Sequence, residues 1–264
     1  IACLQLRAHE LEDAAEALDD ALAAIDLAAD EGAHLVVTPE MTFPAYLLRS
    51  KQAYRNAAGS EAQVLGAFAA RAKRHAITLV VGLGTSEGDN VYNTAVVFDP
   101  EGNELGRYRK SFLWQFDRKW FTAGEEYPVI ETPLGKIGIL ICADTRVPEI
   151  ARAMALNGAD LIVDPTAWVT AGRDAETLYN PQTDYFLPVR AVENGIPFAA
   201  ADKWGSEAGS ILYVGRSRVV GADGSTRGEA GTEGDACVVA DVEIGSRGLP
   251  LARRPELYRT LTGA

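Results

Sequence analysis

The stretch from Lys136 to Arg152 constrains this chain more than any other. Lys136-Ile137-Gly138-Ile139-Leu140-Ile141 is a short apolar run bounded by Pro133 and Gly135, which reads as a buried strand. Cys142 follows at once, then Ala143-Asp144-Thr145-Arg146 and Val147-Pro148-Glu149. A proline at a first helical position followed by an acid marks a helix start. A strand that hands over to a helix within so few residues belongs to an α/β architecture. A thiol on that corner projects out of the sheet, beside backbone N–H groups able to face an oxyanion.

The rest of the chain repeats the alternation. Ile1 to Leu6 reads as a first strand rather than a signal peptide. Leu18, Leu22, Ile25 and Ala29 mark one face of a helix over Leu11–Glu31, stopped by Gly32. His34–Thr38 is a buried strand, Glu61–His75 a helix and Thr78–Gly84 another strand. Val91–Asp99 and Glu104–Arg109 flank a hairpin turn at Pro100–Asn103. Helices are predicted over Pro148–Asn157 and Asp184–Glu193, and strands over Leu161–Val163, Pro197–Ala201, Ile211–Val220 and Cys237–Val242. No repeat and no long linker interrupts the pattern, so 1–264 reads as one domain with helices outside mixed sheets.

Composition excludes several classes. Of 264 residues 47% are hydrophobic, enough to bury a substantial core. No run is long enough to span a bilayer. The net charge of −12, with no basic cluster, speaks against a nucleic-acid partner. The three cysteines, Cys3, Cys142 and Cys237, are far apart. That spacing is neither a disulfide framework nor a zinc site, and it fits a reducing cytoplasm.

A thiol needs a partner to take its proton. His9, His34 and His75 are the only histidines, and none falls at a strand end like that of Cys142, so each reads as a surface or packing residue. Glu40 follows the strand His34–Thr38 directly. It is either an exposed loop acid or, in a partly buried cleft, a general base with a raised pKa. Lys110 ends the strand Glu104–Arg109. Alone it is a surface lysine, but at the same sheet edge as a thiol and a carboxylate it could stabilise an oxyanion.

Taken in order, these segments resemble the nitrilase or carbon–nitrogen hydrolase superfamily, in its amidase-like branch. The likeness runs from Ile1 to Tyr258. It rests on Pro39-Glu40, Tyr108-Arg109-Lys110, Ile141-Cys142-Ala143-Asp144-Thr145-Arg146-Val147-Pro148-Glu149, Arg190-Ala191-Val192-Glu193-Asn194, Gly215-Arg216-Ser217 and Arg253-Arg254-Pro255-Glu256-Leu257-Tyr258. The resemblance implies an αββα sandwich that pairs as αββα-αββα in a homodimer or higher homo-oligomer. It implies Glu40 as base, Lys110 as oxyanion stabiliser, Cys142 as nucleophile and the Ala143 N–H as a further oxyanion donor. The reaction it implies is hydrolysis of a small amide, with no metal and no cofactor. Asp117 holds the place of the family's second Glu, one methylene shorter; it either positions substrate or Lys110, or pairs on the surface with Arg118 or Lys119. Arg146 either meets a substrate carboxylate or, the preferred role on sequence, caps structure through Asp144 or Glu149. Trp168, with Tyr179, Tyr185, Phe186 and Trp204, is placed over the thiol, and Trp168–Gln182 is the predicted specificity loop. Cys142-Ala143-Asp144 is closer to amidases and carbamoyl hydrolases than to nitrile hydrolases, which often carry Cys-Trp-Glu. An N-carbamoyl or nitrile hydrolase is the alternative enzyme, and a non-catalytic oligomeric relative the alternative class.

Overall fold

In the computed structural model, residues 1–170 and 177–245 are described, the side chain of Phe116 excepted. Two mixed sheets form its centre. The first takes β1 (Ala2–Arg7), β2 (Leu35–Val37), β3 (Thr78–Glu87), β4 (Asn90–Phe98) and β5 (Glu104–Arg109). β1, β2 and β3 are parallel neighbours, and β3, β4 and β5 follow as antiparallel hairpins. The second is built on β6 (Val129–Thr132), β7 (Gly135–Ile139) and β8 (Leu161–Pro165), with β7 and β8 parallel.

Side-chain alternation divides the first sheet between two cores. Cys3, Leu35, Val37, Val80, Ala95, Val97 and Tyr108 face the second sheet. Leu4, Val36, Leu79, Val81, Val96 and Phe98 face outward, under α1 (Ala14–Asp30) and α3 (Glu61–His75). Between these helices in the chain lies a short α2 (Lys51–Ala58). β8 is buried at every position, because α4 (Pro148–Leu156) and α5 (Leu187–Asn194) cover its other face. The layers are therefore helix, sheet, sheet, helix, as the resemblance implied.

Three local readings change. The helix foreseen from Leu11 begins with a 3-10 turn, Leu11–Asp13, and its buried stripe is mostly alanine, with Ala14, Ala17, Ala21 and Ala28 beside Leu22 and Ile25. Leu18 and Ala29 only flank that stripe. The helix foreseen over Asp184–Glu193 is a single π-helical turn, Gln182–Phe186, leading into α5. The strand foreseen over Ile211–Val220 is two strands. Gly215 and Arg216 both have positive φ, 67° and 61°, which breaks the extended run. The chain thereby passes from β12 (Ile211–Val214) in the first sheet to β13 (Arg218–Val220) in the second. The strand β9 (Val169–Thr170) precedes this crossing and pairs with β12. Next to β13 lies β10 (Phe198–Ala201), while β11 (Lys203–Glu207) joins β1 to β12. β14 (Thr226–Glu229) ends the second sheet, and β15 (Ala236–Val239) pairs with β1. Arg253–Tyr258 lies outside the described residues. Among the described residues no helix is long and apolar enough to cross a membrane.

Candidate active site

Glu40 lies past the end of β2, on a loop pinned from several sides. Its N–H donates to Thr166 O (3.1 Å), the Thr42 hydroxyl donates to Pro39 O (2.8 Å), and Thr42 N–H donates to Gly82 O (2.8 Å). The loop lies directly on β3. A Cβ on Gly82 would stand 2.1 Å from Pro39 O, so only glycine admits this approach. Gly82→Ala is expected to push the Pro39–Glu40 peptide aside, destabilising the fold by about 2 kcal/mol and reducing turnover. Thermal unfolding together with ammonia release would check both effects.

The buried Glu40 carboxylate takes two hydrogen bonds on Oε1, from Lys110 Nζ (2.7 Å) and Asn93 Nδ2 (2.6 Å). Its Oε2 is buried and accepts from no group. Lys110 is buried as well and also donates to Asp117 Oδ2 (2.7 Å). Two of its three ammonium protons are thus held by carboxylates and one remains for another acceptor. Asp117 is fully buried inside the site, not at the surface beside Arg118 or Lys119. Burial pushes the Glu40 carboxyl above the ordinary range; Asp117 adds to that shift and Lys110 opposes it. Lys110 is held well above its usual range because the charges of Asp117 and Glu40 outweigh its own desolvation.

Cys142 follows β7 on the corner where the sequence placed it, at the start of a 3-10 turn, Cys142–Arg146. Its φ is +48°, in the left-handed region that costs a non-glycine residue about 1–2 kcal/mol. Buried side chains hold it there. Its N–H donates to Asp164 Oδ1 (2.7 Å), and its carbonyl accepts from Thr145 Oγ1 (2.6 Å) and Gln182 Nε2 (2.8 Å). Arg190 Nε reaches the Thr145 carbonyl (3.1 Å), which gives the Arg-Ala-x-Glu-Asn segment its place in the site. With the Cys142 N–H taken by Asp164, the Ala143 N–H is the free donor at the start of the turn. The sulfur lies 3.6 Å from Ala167 O and within the fields of Glu40 and Lys110. Burial first, and the Glu40 charge second, push its thiol well above the usual range, while Lys110 opposes them. At rest it is a thiol beside a carboxylate, not a free-standing thiolate.

The remaining sequence-derived residues fare differently. Arg146 is not paired with Asp144 or Glu149. Asp144 is engaged by the Tyr108 hydroxyl (2.8 Å) and by the N–H groups of Phe112 and Ile141 (both 2.9 Å). The Arg146 guanidinium instead stacks 4.3 Å from the Trp114 ring, with its Nε buried and without an acceptor. Trp168 is fully buried in the same apolar cluster as Cys142. Tyr185 is 58% exposed, and Trp204 donates to Asp235 (2.6 Å), so these two do not cover the thiol. His9 pairs with Asp20, and His75 with Asp26. Sequence reasoning missed Asn93, Asp164, Gln182 and Tyr46. A polar residue inside an apolar strand run was the available signal for Asn93 and Asp164; Gln182 carried none.

The sequence pattern of the family described as Carbon-nitrogen hydrolase matches residues 1–248. The crystal structure of an amidase from Nesterenkonia sp. superposes with a TM-score of 0.82 at 33% identity, over 98% of this chain and 95% of that one. A probable nitrilase of Schizosaccharomyces pombe is 32% identical over 202 residues, 72% of this chain and 71% of its own. An N-carbamoylputrescine amidase of Solanum lycopersicum is 29% identical over 210 residues, 72% of this chain and 70% of its own. The chain belongs to the carbon–nitrogen hydrolase family, within the nitrilase superfamily and alongside its amidases.

Proposed function

We propose that this protein hydrolyses the C–N bond of a small linear amide through a thioester on Cys142. One observation carries the reading: Lys110 bridges two buried carboxylates, and Glu40 Oε2 is buried without a donor in a cluster whose charges act on Cys142. As the sulfur attacks the amide carbon, Glu40 Oε2 takes the thiol proton. The oxyanion is met by the third Lys110 proton and the Ala143 N–H. Glu40 returns the proton to the departing nitrogen, the C–N bond breaks, and ammonia or an amine leaves. Glu40 then deprotonates a water that attacks the thioester, and the sulfur departs with that proton. A carboxylic acid is released and the enzyme is restored. Asp117 supports Lys110 in this scheme and does not touch substrate. In a glutamate-to-glutamine mutant of the amidase from Nesterenkonia sp. AN1, acrylamide has undergone Michael addition at the active site cysteine, which agrees with a reactive cysteine at the matching place.

Arg146 narrows the substrate. A half-buried guanidinium with no carboxylate partner among the described residues, within the field of Cys142, suits a substrate whose far end is a carboxylate. Trp168, buried in the apolar cluster that includes Cys142, is proposed as part of the pocket wall. Ammonia release measured across neutral amides, ω-carboxylated amides, carbamoyl amino acids and nitriles tests the assignment. Turnover of nitriles with no turnover of any amide would overturn it.

The protein is also proposed to form a homodimer through α4 and α5. Leu156, Val189 and Val192 are 64%, 49% and 50% exposed, and Tyr185, Val189 and Val192 follow one helical stripe. Sedimentation is expected to give a dimer, or a multiple of it, and Val189→Glu with Val192→Glu to give a monomer.

A further inference from the structure

Tyr46 stands on the same loop between β2 and α2 as Glu40, six residues further on, and the catalytic scheme gives it no role. It is buried, and its hydroxyl donates to Asp117 Oδ1 (2.7 Å). The other Asp117 oxygen accepts from Lys110 Nζ (2.7 Å) and from the Trp114 N–H (3.0 Å). Both oxygens are therefore fixed, and so is the plane of the carboxylate. An aspartate's χ2 torsion is otherwise broad and roughly two-fold. Tyr46 is held in turn. Its N–H donates to Glu207 Oε1 (2.9 Å), and its ring meets Tyr213 edge-on at 6.2 Å. Tyr213 donates its hydroxyl to the other Glu207 oxygen. Glu207 is fully buried at the end of β11. A continuous buried chain thus runs Glu207, Tyr46, Asp117, Lys110, Glu40.

We propose that Tyr46 is a positioning residue for this site, locking Asp117 so that Lys110 is aimed between Glu40 and the reacting carbonyl. The proposal rests on the amide-hydrolase reading above. Asp117 is short, and its side chain alone would not fix the ammonium. The tyrosine hydroxyl supplies the constraint that a longer acid could obtain by reach. Burial and the neighbouring Asp117 charge hold the phenol well above its usual range, so it remains a donor throughout the working pH range. Without the hydroxyl, one Asp117 oxygen loses its donor and the carboxylate is free to turn away from Lys110. An ammonium held less firmly opposes the raised Glu40 carboxyl less, so that carboxyl moves further up.

Tyr46→Phe deletes one oxygen and keeps the ring. The expected result is a loss in kcat of about 10–100-fold with little change in KM, because the Lys110 contact that Tyr46 aims is made with the oxyanion in the transition state. The acid limb of kcat/KM is expected to move to higher pH. The rate of Cys142 alkylation by iodoacetamide, followed against pH, reads the same cluster without turnover. Its acid limb should move the same way. Tyr54→Phe is the control, since it removes the hydroxyl of a buried tyrosine on α2 that lies outside this chain, and its acid limbs should stay in place. The proposal fails if Tyr46→Phe leaves both profiles unmoved, or if Tyr54→Phe shifts them equally. If the wild-type protein hydrolyses no amide, the functional reading fails, and the alkylation profiles still decide the role of Tyr46.

Discussion

Cys142→Ala is expected to abolish amide hydrolysis and leave the fold intact. Losing the nucleophile removes the covalent pathway altogether, so kcat should fall by about 10⁴-fold or more. The structural cost should be small. The Cys142 backbone is held by Asp164, Thr145 and Gln182, none of which needs the sulfur. The sulfur's own contact is a long one, 3.6 Å to Ala167 O. Ammonia release and the thermal midpoint, measured on one preparation, separate the two effects. Wild-type activity in the alanine variant would refute the nucleophile assignment.

Glu40→Gln carries the second largest expected effect. Gln keeps the shape and can still accept from Lys110, but it cannot take the thiol proton. General-base catalysis is worth about 10²–10⁴-fold, and kcat should fall by that order. The pH profile gives the sharper test. Glu40 must be ionised to act, and its carboxyl is raised by burial and by Asp117. Wild-type kcat/KM should therefore decline as pH falls through a value above the ordinary carboxylate range. Lys110 and Cys142 are both held well above their usual ranges, so no alkaline decline is expected near neutrality. In Glu40→Gln the acid limb should vanish with the activity. An unchanged acid limb in the residual activity of the variant would assign that limb to another group.

The residues themselves indicated helices outside mixed sheets, and the family resemblance implied the layering; the three proposed reacting groups were legible because each sits where one kind of element ends and another begins. Leu35–Val37 and Ile137–Ile139 announce themselves as buried strands, and the residues just past them, Glu40 and Cys142, inherit that placement. What the sequence did not carry is pairing across the chain. Nothing near Tyr46 in sequence indicates that its hydroxyl meets Asp117, 71 positions away, and Gln182 lies 40 positions from the carbonyl it holds. Arg146 was misread for a similar reason. Asp144 and Glu149 are its neighbours in sequence, but Asp144 is engaged by Tyr108 from the other sheet. The apparent single strand Ile211–Val220 hid a crossing, because an apolar run does not show which sheet each half joins. α2 was not foreseen, since its apolar stripe amounts to Tyr54 and Ala58.

The proposed reacting groups come from different halves of the sandwich. Glu40 and Lys110 extend from strands of one sheet, and Cys142 from a strand of the other. Only a few polar ties cross near the site, such as Glu40 N–H to Thr166 O and Tyr108 to Asp144. Base and nucleophile therefore meet only while the two halves keep their registry. Catalysis becomes a vernier for that alignment: loosening the layer of Val37, Val80 and Ile139 should blunt turnover at temperatures where the circular-dichroism signal is still native.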